Sequence, residues 1–159
     1  PIGKRVKNEK GQVLSDLWKN SSPEAYLGTS IENTPNAFLV LGPNVLVYDS
    51  FIGLAEAQLD YIVDGLQKIK SGNIAKLNIK PDVLKAHNDK VQNHLKTTVF
   101  NSGGCKSYYL DANGRNFAAW PWSLKQLKAR LKQLNLDDYQ VTYATDTAPP
   151  AAQSAQAVS

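Results

Sequence analysis

The sequence predicts an α/β fold, and this prediction rests on three patterns. An apolar run enters a Gly-Pro-Asn turn and is followed by a long amphipathic stretch, together covering Asn36 to Ile69. A short alternating segment then precedes a second helical pattern that opens at Pro81. Further on, Asn113-Gly114 lies between two apolar segments, which is typical of a β-hairpin. We therefore expect a strand–turn–helix unit followed by a smaller α+β region.

Length and composition are those of one globular domain. The chain has 159 residues, 42% of them hydrophobic, with a net charge of +4. This mild positive charge favours solubility, and because no nucleic-acid motif accompanies it we expect no nucleic-acid partner. Cys105 is the single cysteine, so no intrachain disulfide can form and a cytoplasmic setting is expected. No apolar run approaches the roughly 20 residues that cross a bilayer, so no membrane span is expected.

Both ends of the chain are unusual. The sequence begins at Pro1 and contains no methionine, so we expect it to be part of a longer chain. From residue 144 onward it is mostly Ala, Pro, Ser, Thr and Gln, with almost no large apolar side chain. Such a composition predicts a disordered tail over 144–159. The folded part is therefore expected to be 1–143.

The first third of the chain predicts short β segments. A turn at Asn8–Gly11 precedes a short strand around Val13, and residues 25–29 are expected to form a short extended piece. Residues 38–41 are continuously apolar and end at Gly42-Pro43, which predicts a strand buried on both faces.

The long amphipathic stretch predicts a helix. Asp49 or Ser50 can cap its start, and Ser71-Gly72 is a stop signal. Its large apolar residues recur at helical spacing and predict one buried face: Leu54, Ala55, Leu59, Ile62, Val63, Leu66 and Ile69.

The rest of the folded part predicts two more helices and several strands. Residues 75–79 alternate as in a strand, and Lys80-Pro81-Asp82 opens a helix. A buried stripe is expected on that helix at Leu84, His87, Val91 and Leu95. Further strands are expected over 97–100, 106–110 and 117–119, the last two joined through Asp111–Gly114. Ser123 and Gln126 form a capping-box pair before a third helix, whose expected buried stripe is Leu124, Leu127, Leu131 and Leu134.

Among candidate sites, the Gly42-Pro43-Asn44 turn has the best chemistry. A strand, a tight turn and a helix start can offer backbone N–H groups and a positive dipole end to an anionic or electron-rich ligand. The same arrangement also occurs as a plain connection in α/β proteins. The residues leave both interpretations open.

The other candidates do not form a catalytic set. His87 and His94 are separated by about 10 Å on one helix at ~1.5 Å per residue, too far to share one metal ion, so no metal site is expected. His87 is expected to be a packed, hydrogen-bonded side chain. No partner that would lower the pKa of Cys105 is identifiable, which favours a small buried side chain. The aromatic group Tyr108, Tyr109, Trp120 and Trp122 fits either core packing or a substrate pocket.

An ordered series of segments resembles the C-terminal part of flavin-containing monooxygenases of the Baeyer–Villiger type. The series comprises Tyr26-Leu-Gly-Thr29, Pro35 to Asn44, Glu56-Ala-Gln58, Thr98 to Asn116 and Trp120-Pro121. The resemblance implies FAD, NADPH as reductant, and oxygenation of ketones or other small organic substrates. The chain would supply the last strand and helix of a Rossmann-like FAD domain and an extension over the active site.

The resemblance also implies site residues. Gly42, Pro43 and Asn44 match the turn against the flavin ring, and Asp49 and Ser50 begin the helix that points at its pyrimidine side. Residues matching the substrate pocket are Tyr48, Cys105 and Tyr108. The segment from Val45 to Asp49 is bulkier than the family's Gly-rich connector.

The resemblance further implies a partner, because the family's Gly-x-Gly-x-x-Gly fingerprints and catalytic arginine belong to earlier parts of its chain. None of them occurs here, so the missing N-terminal FAD/NADPH-binding region is the expected partner, and this chain alone is expected to be inactive. The alternative is a noncatalytic α/β interaction module derived from such an enzyme.

Overall fold

Helices dominate the structure, a computed structural model that describes residues 2–46, 50–102 and 108–144. The helices are α1 (Leu14–Asn20), α2 (Phe51–Ser71), α3 (Pro81–Leu95), α4 (Val99–Ser102) and α5 (Leu124–Arg130). Two strands, β1 (Ile74–Ile79) and β2 (Tyr139–Tyr143), form an antiparallel sheet. Short 3-10 turns cover Ile2–Lys4 and Leu136–Asp138. Among the described residues, no helix is long and apolar enough to span a membrane.

The small sheet contributes Ile74, Leu77, Ile79 and Tyr139 to the main core. β1 matches the strand expected over 75–79, whereas β2 was not predicted, although its alternating Tyr-Gln-Val-Thr-Tyr pattern was a usable signal. Ile79 pairs with Tyr139 and Leu77 with Val141. Helices α2, α3 and α5 supply half of the remaining buried side chains of this core, and the segments between elements supply the other half. A smaller cluster forms around Leu14, Ala25 and Ile31.

Helix α2 begins and ends where the sequence predicts, but it buries a different face. Ser50 caps its start and Gly72 its end. The buried side is formed by small, amide and aromatic residues as well as leucine: Gly53, Leu54, Gln58, Tyr61 and Gly65. The predicted face is wrong in part, because Leu59, Val63 and Leu66 are about half exposed. Gly65 helps to explain why α2 buries this face: a Cβ at residue 65 would lie 2.8 Å from Leu134 Cδ1, so only glycine allows the close contact.

Helices α3 and α5 confirm the sequence-based expectation. Pro81 is the first residue of α3, and the stripe Leu84, His87, Val91 and Leu95 is buried. Ser123 and Gln126 form a capping box at the start of α5. Its predicted leucines are all buried, although Leu131 and Leu134 lie beyond the end of the helix.

The predicted strand over 38–41 is wrong. Val40 is 43% exposed, and β pairing is limited to one bridge between Ser30 and Phe38. Within the described ranges, the backbone N–H groups do not donate to a neighbouring strand. Leu39 N–H donates to Thr29 O, and Leu41 N–H donates to Gln58 Oε1. The positive φ of 58° at Leu41 turns the backbone before Gly42, which an extended strand does not allow.

Other expected β segments are turns or helices. Val13 forms a single bridge with Lys7 and then α1 begins. Residues 25–29 form a tight turn, because Leu27 and Gly28 have φ of 51° and 65°. Residues 97–100 were expected to be β, but Thr98 Oγ1 donates to Leu95 O and the chain continues into α4.

The hairpin prediction is partly confirmed. Gly114 has a φ of 74°, and the Asp111 side chain accepts from the N–H groups of Asn113 and Arg115. The pairing is only one bridge, Leu110 with Asn116, so neither 117–119 nor the described end of 106–110 is a strand.

Candidate functional site

An apolar cleft of about 480 Å³ opens beside the Gly-Pro-Asn turn. None of the described residues that line it is charged: Trp18, Pro23, Leu39, Val40, Leu41, Gly42, Pro43, Val45, Leu46, Phe51, Leu54, Phe117 and Ala118. Several large side chains around it are open to solvent, with Phe51 57% exposed. A cleft of this size and polarity suits a flat apolar ligand or a packed apolar partner surface.

The cleft wall is held by close backbone packing. Gly42 N–H donates to Gly28 O at 3.2 Å, and a Cβ on Gly42 would lie 2.4 Å from that oxygen. Gly42 is therefore required for the approach of two loops, the 26–29 turn and the cleft wall. Gln58, on the buried face of α2, connects the same two loops: it accepts from Leu41 N–H and donates to Leu27 O.

Asn44 lies behind the cleft wall. Its side chain is 1% exposed, and Nδ2 donates to the carbonyls of Asn116 and Ala119 at 2.8 and 3.1 Å. Its backbone N–H donates to Phe117 O. Asn44 thus joins the Gly-Pro-Asn turn to residues 116–119, while Gly42 and Pro43 line the cleft itself.

The start of α2 forms one edge of the cleft. Ser50 Oγ accepts from Gly53 N–H at 3.1 Å, which fixes the first turn. Phe51 and Leu54, both in that turn, line the cleft. The positive end of the helix dipole therefore lies at the cleft edge.

Of the remaining predicted site residues, the structure describes Tyr108 alone. Tyr48, Asp49 and Cys105 lie outside the described residues. Tyr108 is 80% exposed, does not line the cleft, and contacts Tyr109 through hydroxyl groups 2.7 Å apart. The four predicted aromatic residues therefore form two pairs. Tyr108 contacts Tyr109, and Trp120 contacts Trp122 with ring centroids 4.8 Å apart.

Several cleft residues were not singled out by the sequence analysis. Trp18, Leu46, Phe51 and Phe117 come from separate segments that the fold brings together. Their signal was an excess of apolar residues around the Gly-Pro-Asn turn, more than one buried strand needs. The sequence gives no spacing rule that would join Trp18 to Phe117.

His87 is packed in the core, as predicted. Its Nε2 accepts weakly from Leu27 N–H at 3.4 Å, and its Nδ1 is buried without a partner. The ring stacks near Trp120 and meets the edge of Tyr26. Burial lowers the pKa of His87 to about 3, with nearby Arg130 and Lys90 adding to the effect. The imidazole is therefore neutral at pH 7.

Buried tyrosines connect the 26–29 turn to β2. Tyr26 donates to Asp138 at 2.8 Å, and Tyr139 exchanges hydrogen bonds with Ser30 and Tyr61. Burial and the bond to Asp138 raise the pKa of Tyr26 to about 12. These hydroxyls stay protonated at neutral pH and act as structural donors. In the described part of the chain, no group of His, Cys, Asp and Glu is arranged to hold a metal ion.

Comparison with curated proteins identifies clear relatives. The chain is 37% identical to a Baeyer–Villiger monooxygenase of Streptomyces coelicolor, a match covering 89% of this chain and 27% of that protein. It is 36% identical to a Baeyer–Villiger monooxygenase of Pseudomonas aeruginosa, over 92% of this chain and 27% of the relative. An FAD-binding monooxygenase of Aspergillus niger is 31% identical, over 85% of this chain and 23% of the relative. No protein-family model matches.

Solved structures show the same fold. An oxidized steroid monooxygenase bound to NADP superposes with a TM-score of 0.74 at 19% identity, over 86% of this chain and 26% of that one. A cyclohexanone monooxygenase from Rhodococcus sp. Phi1, bound to NADP+, gives 0.73 at 21% identity, over 87% of this chain and 27% of that one. The chain is thus homologous to one segment of the Baeyer–Villiger monooxygenases and spans about 27% of the length of the curated relatives it matches.

Proposed function

We propose that this chain is the C-terminal part of an FAD- and NADPH-dependent monooxygenase that oxygenates ketones or other small organic substrates. Its role there is to close the flavin site and line the substrate pocket. The observation that carries the proposal is the apolar cleft between the Gly-Pro turn and the start of α2. The homology to Baeyer–Villiger monooxygenases supplies the reaction class.

The residues present fit a flavin. The cleft offers apolar walls for a flat ring system, with Leu46, Phe51 and Phe117 among its lining residues. Gly42 and Pro43 form the backbone wall, and the first turn of α2 adds a positive dipole end for the electron-rich pyrimidine side. Asn44 and Ser50 act indirectly, by fixing the turn and the helix start. Asp49 would belong to the same helix start.

FAD reduced by NADPH supplies the electrons that activate oxygen for insertion into the substrate. This chain's own contribution is to exclude water from that chemistry with an apolar wall. Among the described side chains that line the cleft none is titratable near neutral pH, so acid–base groups would come from outside this lining. Tyr48, Cys105 and Tyr108 remain candidates for the substrate side.

The partner we propose is the remaining FAD- and NADPH-binding region. In that assembly the chain would complete a Rossmann-like domain, with the 38–46 segment beside the sheet supplied by the partner. Val40, Leu46 and Phe51 are partly exposed large side chains at the cleft. Exposed apolar groups gathered in this way are typical of an interface.

A chimera tests the proposal. The homologous segment of the Streptomyces coelicolor relative is replaced by this chain, and the purified product is examined for flavin absorbance and NADPH oxidation. We expect a yellow protein that oxidises NADPH, whereas the relative with the segment deleted retains little flavin. A folded chimera without flavin would contradict the proposal and favour the noncatalytic interaction module.

A further inference from the structure

A second concave surface lies on the side of the molecule formed by α3 and α5. This groove of about 290 Å³ is lined by Lys90, Trp120, Trp122, Gln126, Ala129 and Arg130. It shares none of these residues with the apolar cleft. We propose that the groove binds a small aromatic carboxylate, and this proposal does not depend on the proposed function of the cleft.

Two indole rings form the floor of the groove. Trp120 and Trp122 meet edge to face with ring centroids 4.8 Å apart. Trp120 is anchored, because its Nε1–H donates to Ser123 O and its ring is buried against His87. Trp120 is only 4% exposed, so the half-buried Trp122 presents most of the indole surface against which a flat ligand can pack.

Two cations flank these rings from different helices. Lys90 Nζ on α3 lies 5.9 Å from the centroid of the Trp122 ring, and Arg130 Cζ on α5 lies 5.9 Å from that of Trp120. Neither side chain forms an ion pair within the part of the chain that the structure describes. By contrast, Lys85, one turn before Lys90 on α3, is paired with Asp89.

The electrostatic balance of the groove favours an anion. Among the described residues none that lines the groove is acidic, and both Lys90 and Arg130 are close enough to His87 to lower its pKa. The Asp138 carboxylate accepts from the Tyr26 hydroxyl, and in the described part of the chain it forms no ion pair with Arg130. An anion between the two cations would gain charge-assisted hydrogen bonds from both sides. Gln126 adds an amide at the rim.

Size selects the ligand class. A groove of about 290 Å³ holds one substituted ring rather than a dinucleotide. The ring would pack on the indoles and the carboxylate would face Lys90 and Arg130. A ligand with only a negative charge would leave the indole surface uncovered, and a ligand with only a ring would leave Lys90 and Arg130 without an anion.

The test uses benzoate as the probe and the indole N–H resonances of the tryptophans as the readout. The chain has three tryptophans, so Trp120 and Trp122 report on the groove while Trp18 reports on the cleft. We expect benzoate to shift Trp120 and Trp122 saturably and leave Trp18 in place. Benzamide, which lacks the charge, and acetate, which lacks the ring, should each bind at least about 10-fold more weakly.

Variants assign the binding to the groove. Lys90→Ala and Arg130→Gln should each raise the Kd for benzoate about 10-fold, while Lys85→Ala on the same helix should leave it unchanged. Lys90 is exposed, so Lys90→Ala should not disturb the fold. It therefore tests the groove even if Arg130→Gln disturbs packing. The proposal is overturned by equal affinity for benzamide or acetate, by equal losses in Lys85→Ala and Lys90→Ala, or by no shift of Trp120 and Trp122.

Discussion

Gln58 accepts a hydrogen bond of 2.7 Å from the backbone N–H of Leu41, although the two residues belong to different elements. Gln58 is fully buried on α2, and Leu41 lies in the cleft wall. The same amide donates to Leu27 O at 3.1 Å. One side chain thus sets the distance between the helix, the cleft wall and the 26–29 turn.

Replacing Gln58 with leucine should destabilise the chain strongly. The substitution leaves the Leu41 N–H and the Leu27 carbonyl without partners, which costs about 2–4 kcal/mol in the free energy of unfolding. Urea unfolding of both proteins measures the difference. Gln67→Leu, at an exposed position on the same helix, is the matched control and should change stability by less than ~0.5 kcal/mol. Equal effects of the two variants would refute this role of Gln58.

Gly65→Ala should also destabilise the chain, because of its contact with Leu134. The new Cβ would lie 2.8 Å from Leu134 Cδ1. Overpacking of this kind costs about 1–3 kcal/mol, of which the better helix propensity of alanine recovers up to ~1 kcal/mol. A double-mutant cycle with Leu134→Ala isolates the contact. In that background Gly65→Ala should become neutral or stabilising, and an unchanged cost would mean that the clash is not the cause.

Helices α2, α3 and α5 were predictable from the sequence because their signals are local, whereas α1 and α4 were not predicted. Ser50, Pro81 and the Ser123–Gln126 pair mark helix starts that the structure confirms. A helix forms its hydrogen bonds within itself, so caps and periodicity suffice to predict it. The buried face of α2 was less predictable, because apolar residues lie on more than one side of the helix and the choice depends on tertiary contacts such as those of Gly65 with Leu134 and of Gln58 with Leu41.

Except for β1, the expected strands were wrong for the opposite reason. A strand needs a neighbour, and in the described part of the chain residues 38–41 have only the bridge from Ser30. The apolar run is therefore only partly buried in this chain, and Leu39, Val40 and Leu41 line the cleft. The Gly-Pro turn of the candidate site was recognisable locally, whereas Trp18 and Phe117 join it only through the tertiary fold.

Acid should weaken the fold through His87. The pKa of His87 is lowered from 6.5 to about 3 in the folded chain, so between these values the unfolded chain binds a proton that the folded chain does not. Stability is therefore unaffected by this group above pH 6.5 and falls as the pH drops towards 3, with a slope of up to about 1.4 kcal/mol per pH unit.

His87→Gln isolates this effect. Urea unfolding between pH 7 and 4 should show a flatter dependence for His87→Gln than for the wild-type chain, even if the variant is less stable at pH 7. His94→Gln is the control, because His94 is exposed, and it should keep the wild-type slope. Parallel curves for the wild-type and His87→Gln proteins would mean that the buried imidazole is not responsible.

Val40→Lys should separate folding of this chain from assembly of the flavin site. Val40 lines the cleft and is 43% exposed, so a lysine there can reach solvent in the isolated chain and should change its stability little. In the chimera with the Streptomyces coelicolor relative, the same lysine would be buried in an apolar interface. Burying an unpaired ammonium is costly, so the Kd for FAD should rise at least about 10-fold.

Val99→Lys, at a valine that is 78% exposed in α4, is the matched control and should retain flavin. Flavin titration of both chimeras measures the two Kd values. Full FAD affinity in the Val40→Lys chimera would mean that the flavin-facing surface lies elsewhere.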